Sequence, residues 1–106
     1  MKSCILTIIK NESYIEDFIK YHLNLGINHI FIFTDIDNNY SYNKFDNVTI
    51  KSITEVNPYK IKCQGDYICS GINYIKNNYD YDWCFTLDPD EYITIENNNT
   101  LEEILN

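Results

Sequence analysis

Three carboxylates close together in the sequence are the residues best suited to chemistry. Asp88, Asp90 and Glu91 follow an apolar, aromatic-rich run, Trp83–Leu87, and Pro89 lies among them. Such a run is typical of a buried strand, and proline, which has no N–H to donate, should end the pairing of that strand. We therefore expect the acids at the carboxyl end of the strand, which is where open α/β sheets bind ligands.

Neighbouring carboxylates repel one another unless a cation lies between them. Hard divalent cations prefer carboxylate oxygens, so one hypothesis is a metal-dependent site for a phosphorylated ligand. The other is a solvent-exposed acidic turn after a buried strand, because aspartate and proline are both common in turns. The residue types alone favour neither.

Composition narrows the class of protein. The chain has 106 residues, of which 44% are hydrophobic, so residues 1–106 should form a single domain with one core. The formal net charge is −8, and the eight basic residues form no cluster. Because nucleic acids and anionic membranes are bound through basic side chains, neither is an expected partner.

No stretch has the features of a signal peptide or reaches transmembrane length, so the expected location is the cytoplasm, or the host cytoplasm for a viral protein.

The cysteines and histidines are expected to be structural. His22, inside a predicted helix, and His29, at the start of a predicted strand, should each be held by hydrogen bonds in the fold. The cysteines show no CxxC spacing, so we interpret them as reduced, mostly buried thiols and not as a zinc site or a disulfide framework. They are Cys4, Cys63, Cys69 and Cys84.

A calcium-binding loop is excluded. Asp35-x-Asp37-x-Asn39 has the spacing that opens an EF-hand loop, but Tyr40 stands where that loop requires glycine. The segments on either side are predicted strands, whereas an EF-hand needs helices.

The order of predicted elements is that of an α/β protein with a mostly parallel sheet, because strand–helix–strand units connect parallel strands. Ser13 with Glu16 and Thr100 with Glu103 have the spacing of capping boxes. Gly26 should follow the last turn of the first helix, and glycines at 65 and 71 weaken the second. The predicted strands are 3–9, 29–33, 48–53 and 83–87, with a short strand at 92–95, and the helices begin near 14, span about 65–78 and begin at 101.

Two acidic loops should therefore open on one edge of the sheet. Asp35 follows the second predicted strand and Asp88 follows the strand that carries the acids. Such an edge could hold a nucleotide, with one acid on the base or ribose and another on a metal–diphosphate group. The sequence contains neither GxGxxG nor GxxxxGK[ST], so dinucleotide-binding and P-loop chemistry are not predicted.

Five ordered blocks resemble the N-terminal half of a GT-A glycosyltransferase, and they are most similar to glycosyltransferase family 92 and its family 2 relatives. The resemblance covers nearly the whole chain. Asp17-Phe18 replaces the usual acid–Trp pair, and Tyr92 replaces phenylalanine. The blocks are Ile9-Lys10-Asn11-Glu12, Tyr14-Ile15-Glu16, Tyr21-His22-Leu23-x-Leu25-Gly26, Gln64 with Tyr67 and Cys69, and Trp83 with Asp88-x-Asp90-Glu91-Tyr92.

The resemblance implies a three-layer, Rossmann-like GT-A fold that binds a nucleotide-diphosphate sugar with Mn²⁺ or Mg²⁺. By that resemblance Asp90 would be a metal ligand, Asp88 would lie near the ribose or the metal, and Asp35 would contact the base or ribose. Lys10, Asn11 and Glu12 would lie near the nucleotide pocket, whereas the residue types alone favour a solvent-exposed turn for Lys10 and Glu12. Glu91 would be a supporting residue of undefined role, and Tyr67 and Cys69 would be packing residues.

The resemblance also implies a truncated domain. Complete GT-A enzymes are expected to reach ~200–250 residues, and their second half supplies the acceptor contacts and a catalytic base in inverting enzymes. No catalytic residue is therefore assigned, and a second chain is an expected partner if transfer occurs. The alternatives are a non-catalytic binding or interaction module and a vestigial fragment that keeps the fold without turnover. The donor sugar, the acceptor and the stereochemical outcome cannot be read from the sequence.

Overall fold

The structure, a computed structural model, describes residues 2–9, 15–34, 45–52, 64–96 and 99–105. Four strands and three helices are formed by these residues. In chain order they are β1 (Ser3–Ile9), α1 (Ile15–Leu25), β2 (His29–Thr34), β3 (Val48–Ser52), α2 (Gln64–Asn78), β4 (Trp83–Thr86) and α3 (Leu101–Leu105).

The strands form one sheet in the order β3-β2-β1-β4, and every pair is parallel. The predicted α/β class and the parallel sheet are thus confirmed, and the strand order is compatible with a Rossmann-like fold. Ile9 pairs with Thr34, Thr34 pairs with Ser52, and Leu6 pairs with Thr86. The carboxyl ends of β1, β2 and β3 therefore lie side by side at one edge.

β1 is the central strand, and its consecutive side chains are buried in two different hydrophobic clusters. Ile5 and Ile9 belong to a cluster that includes Phe18 of α1 and both buried leucines of α3. Leu6 belongs to a second cluster with Ile75 of α2. Because successive residues of a strand point to opposite faces, this alternation explains why β1 is apolar throughout.

Two glycines have defined structural roles. Gly26 has φ +120°, and the N–H groups of Gly26 and Ile27 donate to the carbonyls of Leu23 (3.3 Å) and His22 (3.1 Å). This is the Schellman arrangement, so the predicted end of α1 is confirmed. At Gly71 a Cβ atom would lie 2.5 Å from Cδ1 of Leu6. Gly71 lowers the helix propensity of this segment, but its lack of a side chain allows α2 to approach the sheet.

Other local predictions have mixed outcomes. The capping box of α3 is confirmed, because the Glu103 N–H donates to Thr100 Oγ1 at 3.2 Å and the Thr100 N–H donates to Glu103 Oε2 at 3.4 Å. The capping box at Ser13 lies outside the described residues. The short strand at 92–95 is wrong, since residues 91–96 contain no strand. Among the described helices, none is long and apolar enough to cross a membrane.

Candidate functional site

Asp88 lies at the carboxyl end of β4, where the sequence predicts it. The Leu87 N–H donates to the Leu6 carbonyl at 3.1 Å, so pairing with β1 continues one residue beyond β4 and then stops. The strands β2 and β3 lie on one side of β1, and β4 lies on the other. The carboxyl ends of β1 and β4 therefore border a topological switch point, which is the usual ligand position in an open α/β sheet.

Residues 88–91 form a turn that is closed by two reciprocal hydrogen bonds. The Glu91 N–H donates to the Asp88 carbonyl at 3.0 Å, and the Asp88 N–H donates to Glu91 Oε1 at 2.8 Å. Pro89 between them is buried, and its fixed φ suits the first inner position of such a turn. Glu91 thus has the role that sequence analysis left undefined: its carboxylate holds the backbone of the turn.

The other two carboxylates of the turn remain available. Asp88 and Asp90 are exposed, and neither carboxylate accepts a hydrogen bond or forms an ion pair with any residue in the described part of the chain. The turn therefore fixes the backbone through one acid and presents two others to solvent.

A small cavity lies beside this turn, where it meets the sheet and α2. Its volume is about 50 Å³, room for a few water molecules. This cavity is too small to enclose a nucleoside. The lining residues are Leu6, Ile8, Ile68, Thr86, Leu87, Asp88 and Glu91.

The carboxylates of Asp88 and Asp90 suit a metal ion that is also bound by the oxygens of a ligand. Within residues 2–9, 15–34, 45–52, 64–96 and 99–105, no three His, Cys, Asp or Glu side chains come together as a metal site. Mg²⁺ commonly takes one or two protein carboxylates and completes its shell with phosphate oxygens and water. The carboxylates of Asp88 and Asp90 fit that pattern, and they do not form a closed protein cage.

The remaining predicted site residues are Lys10, Asn11, Glu12 and Asp35, and all four lie outside the described residues. The structure does show the strand ends that precede them. Ile9 pairs directly with Thr34, so the chain leaves β1 and β2 at neighbouring points on the edge that also bears Asp88. The roles of these four side chains stay predictions.

The segment that follows the acidic turn is held by two consecutive residues of α1. The Tyr21 hydroxyl donates to the Ile93 carbonyl at 2.5 Å, and the Ile93 N–H donates to His22 Nε2 at 3.2 Å. Both backbone groups of Ile93 are thereby bound by side chains, so Ile93 needs no strand partner.

His22 is held as a neutral imidazole by its hydrogen bonds. Its Nδ1 lies 2.9 Å from the Phe18 carbonyl, so Nδ1 carries the proton and Nε2 is the acceptor for Ile93. Burial lowers the pKa of His22 below its ordinary value and outweighs the Phe18 carbonyl, which alone would raise it. The predicted structural role of His22 is confirmed.

Aromatic contacts reinforce this attachment. The ring of Tyr92 stacks on His22 with centroids 5.6 Å apart and meets the edge of Tyr21 at 5.0 Å. The sequence patterns do not predict this link between α1 and the residues after the acids. The available signal was the position of His22 on the apolar face of α1 beside Phe18, since a buried imidazole requires a hydrogen-bond partner.

His29 has the structural role predicted for it. Its Nε2 lies 2.7 Å from Thr49 Oγ1, which connects β2 to β3, and burial lowers its pKa.

The cysteine predictions need correction. Cys4 is buried, as expected, but Cys69 and Cys84 are exposed, and these three thiols are free. Cys69 is thus not a packing residue. Cys84 is exposed because β4 is the last strand in the described sheet, whereas its apolar sequence suggested a core strand. Cys63 lies outside the described residues.

Comparison with known proteins gives no relative. No family model matches the chain, and neither a curated protein nor a solved structure is significantly similar to it. The resemblance to GT-A glycosyltransferases therefore stays a prediction from the sequence blocks.

Proposed function

We propose that this chain is a three-layer, GT-A-type domain that binds a nucleotide-diphosphate sugar through a divalent metal, Mn²⁺ or Mg²⁺. The observation that carries the proposal is the position of the 88–91 turn at the switch point between β1 and β4. Asp90 is proposed as the metal ligand, and Asp88 as a ligand of the metal or the ribose.

Charge explains why a metal belongs in this proposal. The chain has a net charge of −8, and a diphosphate brought to two carboxylates that have no partner among the described residues would be repelled. A divalent cation between them would offset that repulsion, and as a Lewis acid it would stabilise charge on a departing nucleoside diphosphate.

The rest of the nucleotide would lie along the same sheet edge. Asp35 is proposed to contact the base or ribose, because it follows Thr34 at the end of β2. Lys10, Asn11 and Glu12 directly follow Ile9 at the end of β1 and are proposed to border the nucleotide.

Sugar transfer would need further groups, which we propose that a second chain supplies. The Trp83 N–H donates to the Lys2 carbonyl at 3.2 Å, and the Leu87 N–H donates to the Leu6 carbonyl at 3.1 Å. Both bonds connect β4 to the β1 segment. Since alternate residues of a strand turn their backbone groups to opposite sides, those of Cys84 and Thr86 face away from β1. A strand of a partner could add at this edge of β4, next to the proposed donor site.

A second candidate is a non-catalytic interaction module. It is favoured by two exposed aromatic side chains, Trp83 at the amino end of β4 and Tyr92 directly after the acidic turn, which are 44% and 40% exposed. Aromatic side chains of this kind are enriched in protein interfaces. A vestigial fragment that keeps the fold without turnover would bind neither a donor nor a partner.

Isothermal titration calorimetry separates these functions. UDP- and GDP-sugars are titrated into the chain with and without Mn²⁺, and the donor-site proposal requires binding that depends on the metal. Asp90→Asn should weaken that binding at least about tenfold, as expected for loss of a charged ligand. Asp46→Asn, which removes an equally exposed acid before β3, is the matched control and should bind like the wild type. A folded wild-type chain with no Mn²⁺-dependent binding would refute the donor site.

A further inference from the structure

Two cysteines lie opposite each other on neighbouring strands. Cys4 of β1 and Cys84 of β4 are direct partners in the parallel register. Neighbouring strands are about 4.8 Å apart, a separation that lies within the Cα–Cα range of disulfides. The pair is thus already close enough to react.

The two thiols differ sharply in environment. Cys4 is fully buried in the cluster that contains Leu6 and Ile75, whereas Cys84 is exposed. The neighbouring Cys84 thiol and burial both raise the pKa of Cys4, whereas the neighbouring Cys4 thiol lowers the pKa of Cys84. Cys84 is therefore both the accessible thiol and the one that ionises first.

Cys84 also borders an open cavity that could hold a small reactant. The cavity has a volume of about 200 Å³ and lies between β4 and the end of α2. It offers one ammonium group, from Lys76, together with the aromatic side chains of Tyr79 and Tyr81, and Asp80 is the acid among its lining residues. A small molecule could thus approach the Cys84 sulfur from solvent.

We propose that Cys84 and Cys4 form a dithiol redox site that reacts with low-molecular-mass disulfides, with Cys84 as the attacking thiol and Cys4 as the resolving thiol. The site lies on the amino-terminal half of β4, away from the acidic turn, so it does not depend on the proposed donor-binding function. Nucleophilic attack by a thiolate on a disulfide sulfur is the general route of such exchange.

The exchange takes place in two steps. The Cys84 thiolate attacks one sulfur of a disulfide RSSR, an S–S bond forms between Cys84 and RS, and RS⁻ leaves. The Cys4 sulfur then attacks the Cys84 sulfur, the bond to RS breaks, and a second RS⁻ leaves. The protons of the two cysteine thiols pass to the two RS⁻ groups. Two thiols are oxidised to one Cys4–Cys84 disulfide, and one RSSR is reduced to two RSH.

The first test compares two exposed cysteines of the same folded chain. The wild type is treated with iodoacetamide under native conditions, and the alkylation rates of Cys84 and Cys69 are measured by peptide mass spectrometry. Cys84 should react faster, because the neighbouring Cys4 lowers the pKa of the Cys84 thiol and the rate follows the thiolate fraction. Equal rates, or a faster Cys69, would overturn the assignment of Cys84 as the attacking thiol.

The second test uses glutathione disulfide as the oxidant. The wild type should yield a peptide pair crosslinked through Cys4 and Cys84, and Cys69→Ala, the matched control, should yield the same pair. Cys4→Ala, with its fold checked by circular dichroism, should stop at a mixed disulfide with glutathione on Cys84. Glutathione found mainly on Cys69, or no crosslinked pair in the wild type, would overturn the proposal. The wild-type results do not depend on whether a variant folds.

Discussion

The imidazole of His22 accepts a 3.2 Å hydrogen bond from the backbone N–H of Ile93, 71 residues later in the chain. This bond connects the last turn of α1 to the segment that follows the acidic turn. The preceding residue, Tyr21, binds the carbonyl of the same Ile93. The position of the turn at the sheet edge is therefore set from both sides, by β4 before it and by α1 after it.

Replacement of His22 by alanine should destabilise the fold. The change leaves the Ile93 N–H unpaired and removes a fully buried ring that packs on Phe18 and Tyr92. We expect a loss of about 2–4 kcal/mol in the free energy of unfolding, measured with urea. Tyr21→Phe, which removes only the hydroxyl that binds Ile93, should cost about 1 kcal/mol. A cost for His22→Ala no larger than that for Tyr21→Phe would contradict the anchoring role.

Stability should fall as the pH decreases below the ordinary pKa of histidine. Burial lowers the pKa of His22 and of His29 in the folded chain, whereas in the unfolded chain both titrate near ~6.5. Just below that pH the unfolded state binds more protons than the folded state, so the free energy of unfolding falls with falling pH. The contribution of the two histidines to the free energy of unfolding is fully present above their pKa in the unfolded chain. Urea unfolding between pH 5 and 8 measures it.

Glutamine variants assign this pH dependence to a residue. His22→Gln should remove the part of the pH dependence of the unfolding free energy that is due to His22. His29→Gln should remove the part that is due to His29. A slope below pH ~6.5 that is unchanged in both variants would show that other groups are responsible.

Glu91 should stabilise the acidic turn through its side chain. Glu91→Ala removes the acceptor of the Asp88 N–H, and an analogous loss at a helix N-cap costs about 0.5–2 kcal/mol. Faster amide hydrogen exchange at Asp88 and a lower unfolding temperature are the expected results. Glu91→Gln keeps an oxygen acceptor and should preserve the slow exchange. Equal exchange rates in the alanine variant and the wild type would mean that the turn holds without this bond.

Gly71→Ala should lower stability although alanine favours helices. The new Cβ would lie 2.5 Å from Cδ1 of Leu6 and 3.1 Å from Cε2 of Phe33. Overpacking a core costs about 1–3 kcal/mol and alanine gains about 1 kcal/mol over glycine in a helix, so a net loss near 1 kcal/mol is expected. Asn73→Ala, at an exposed position of α2, gains propensity without a clash and should not destabilise. A stabilised Gly71→Ala chain would show that α2 shifts freely on the sheet.

The sequence predicts those elements whose signals are local. β1 is recognisable because its side chains are apolar on both faces, and α1 because Phe18 and Ile19 recur at helical spacing before Gly26. The ends of these elements follow from caps and glycine chemistry. The acid position after β4 follows in the same way, from the proline that ends the strand.

The sequence predictions are wrong where contacts between residues that are distant in the sequence determine the structure. Whether a strand such as β4 is central or at an edge depends on the order of strands in the sheet, so the exposure of Cys84 is not a local property. The backbone of Ile93 is satisfied by side chains of α1, so an apparent strand signal at 92–95 is overridden. Gly71 weakens the helix in isolation, yet its close approach to Leu6 makes it suitable there.

Thr7 provides a test of polar burial inside β1. Its Oγ1 is buried and has no hydrogen-bond partner among the residues that the structure describes. Thr7→Val replaces that hydroxyl with a methyl group of similar shape, so the variant should be more stable by about 1 kcal/mol in urea unfolding. Thr49→Val is the matched control: the same change there removes the 2.7 Å hydrogen bond to His29 and should destabilise the chain. If both variants lose stability to the same extent, the Thr7 hydroxyl has a hydrogen-bond partner in the folded chain.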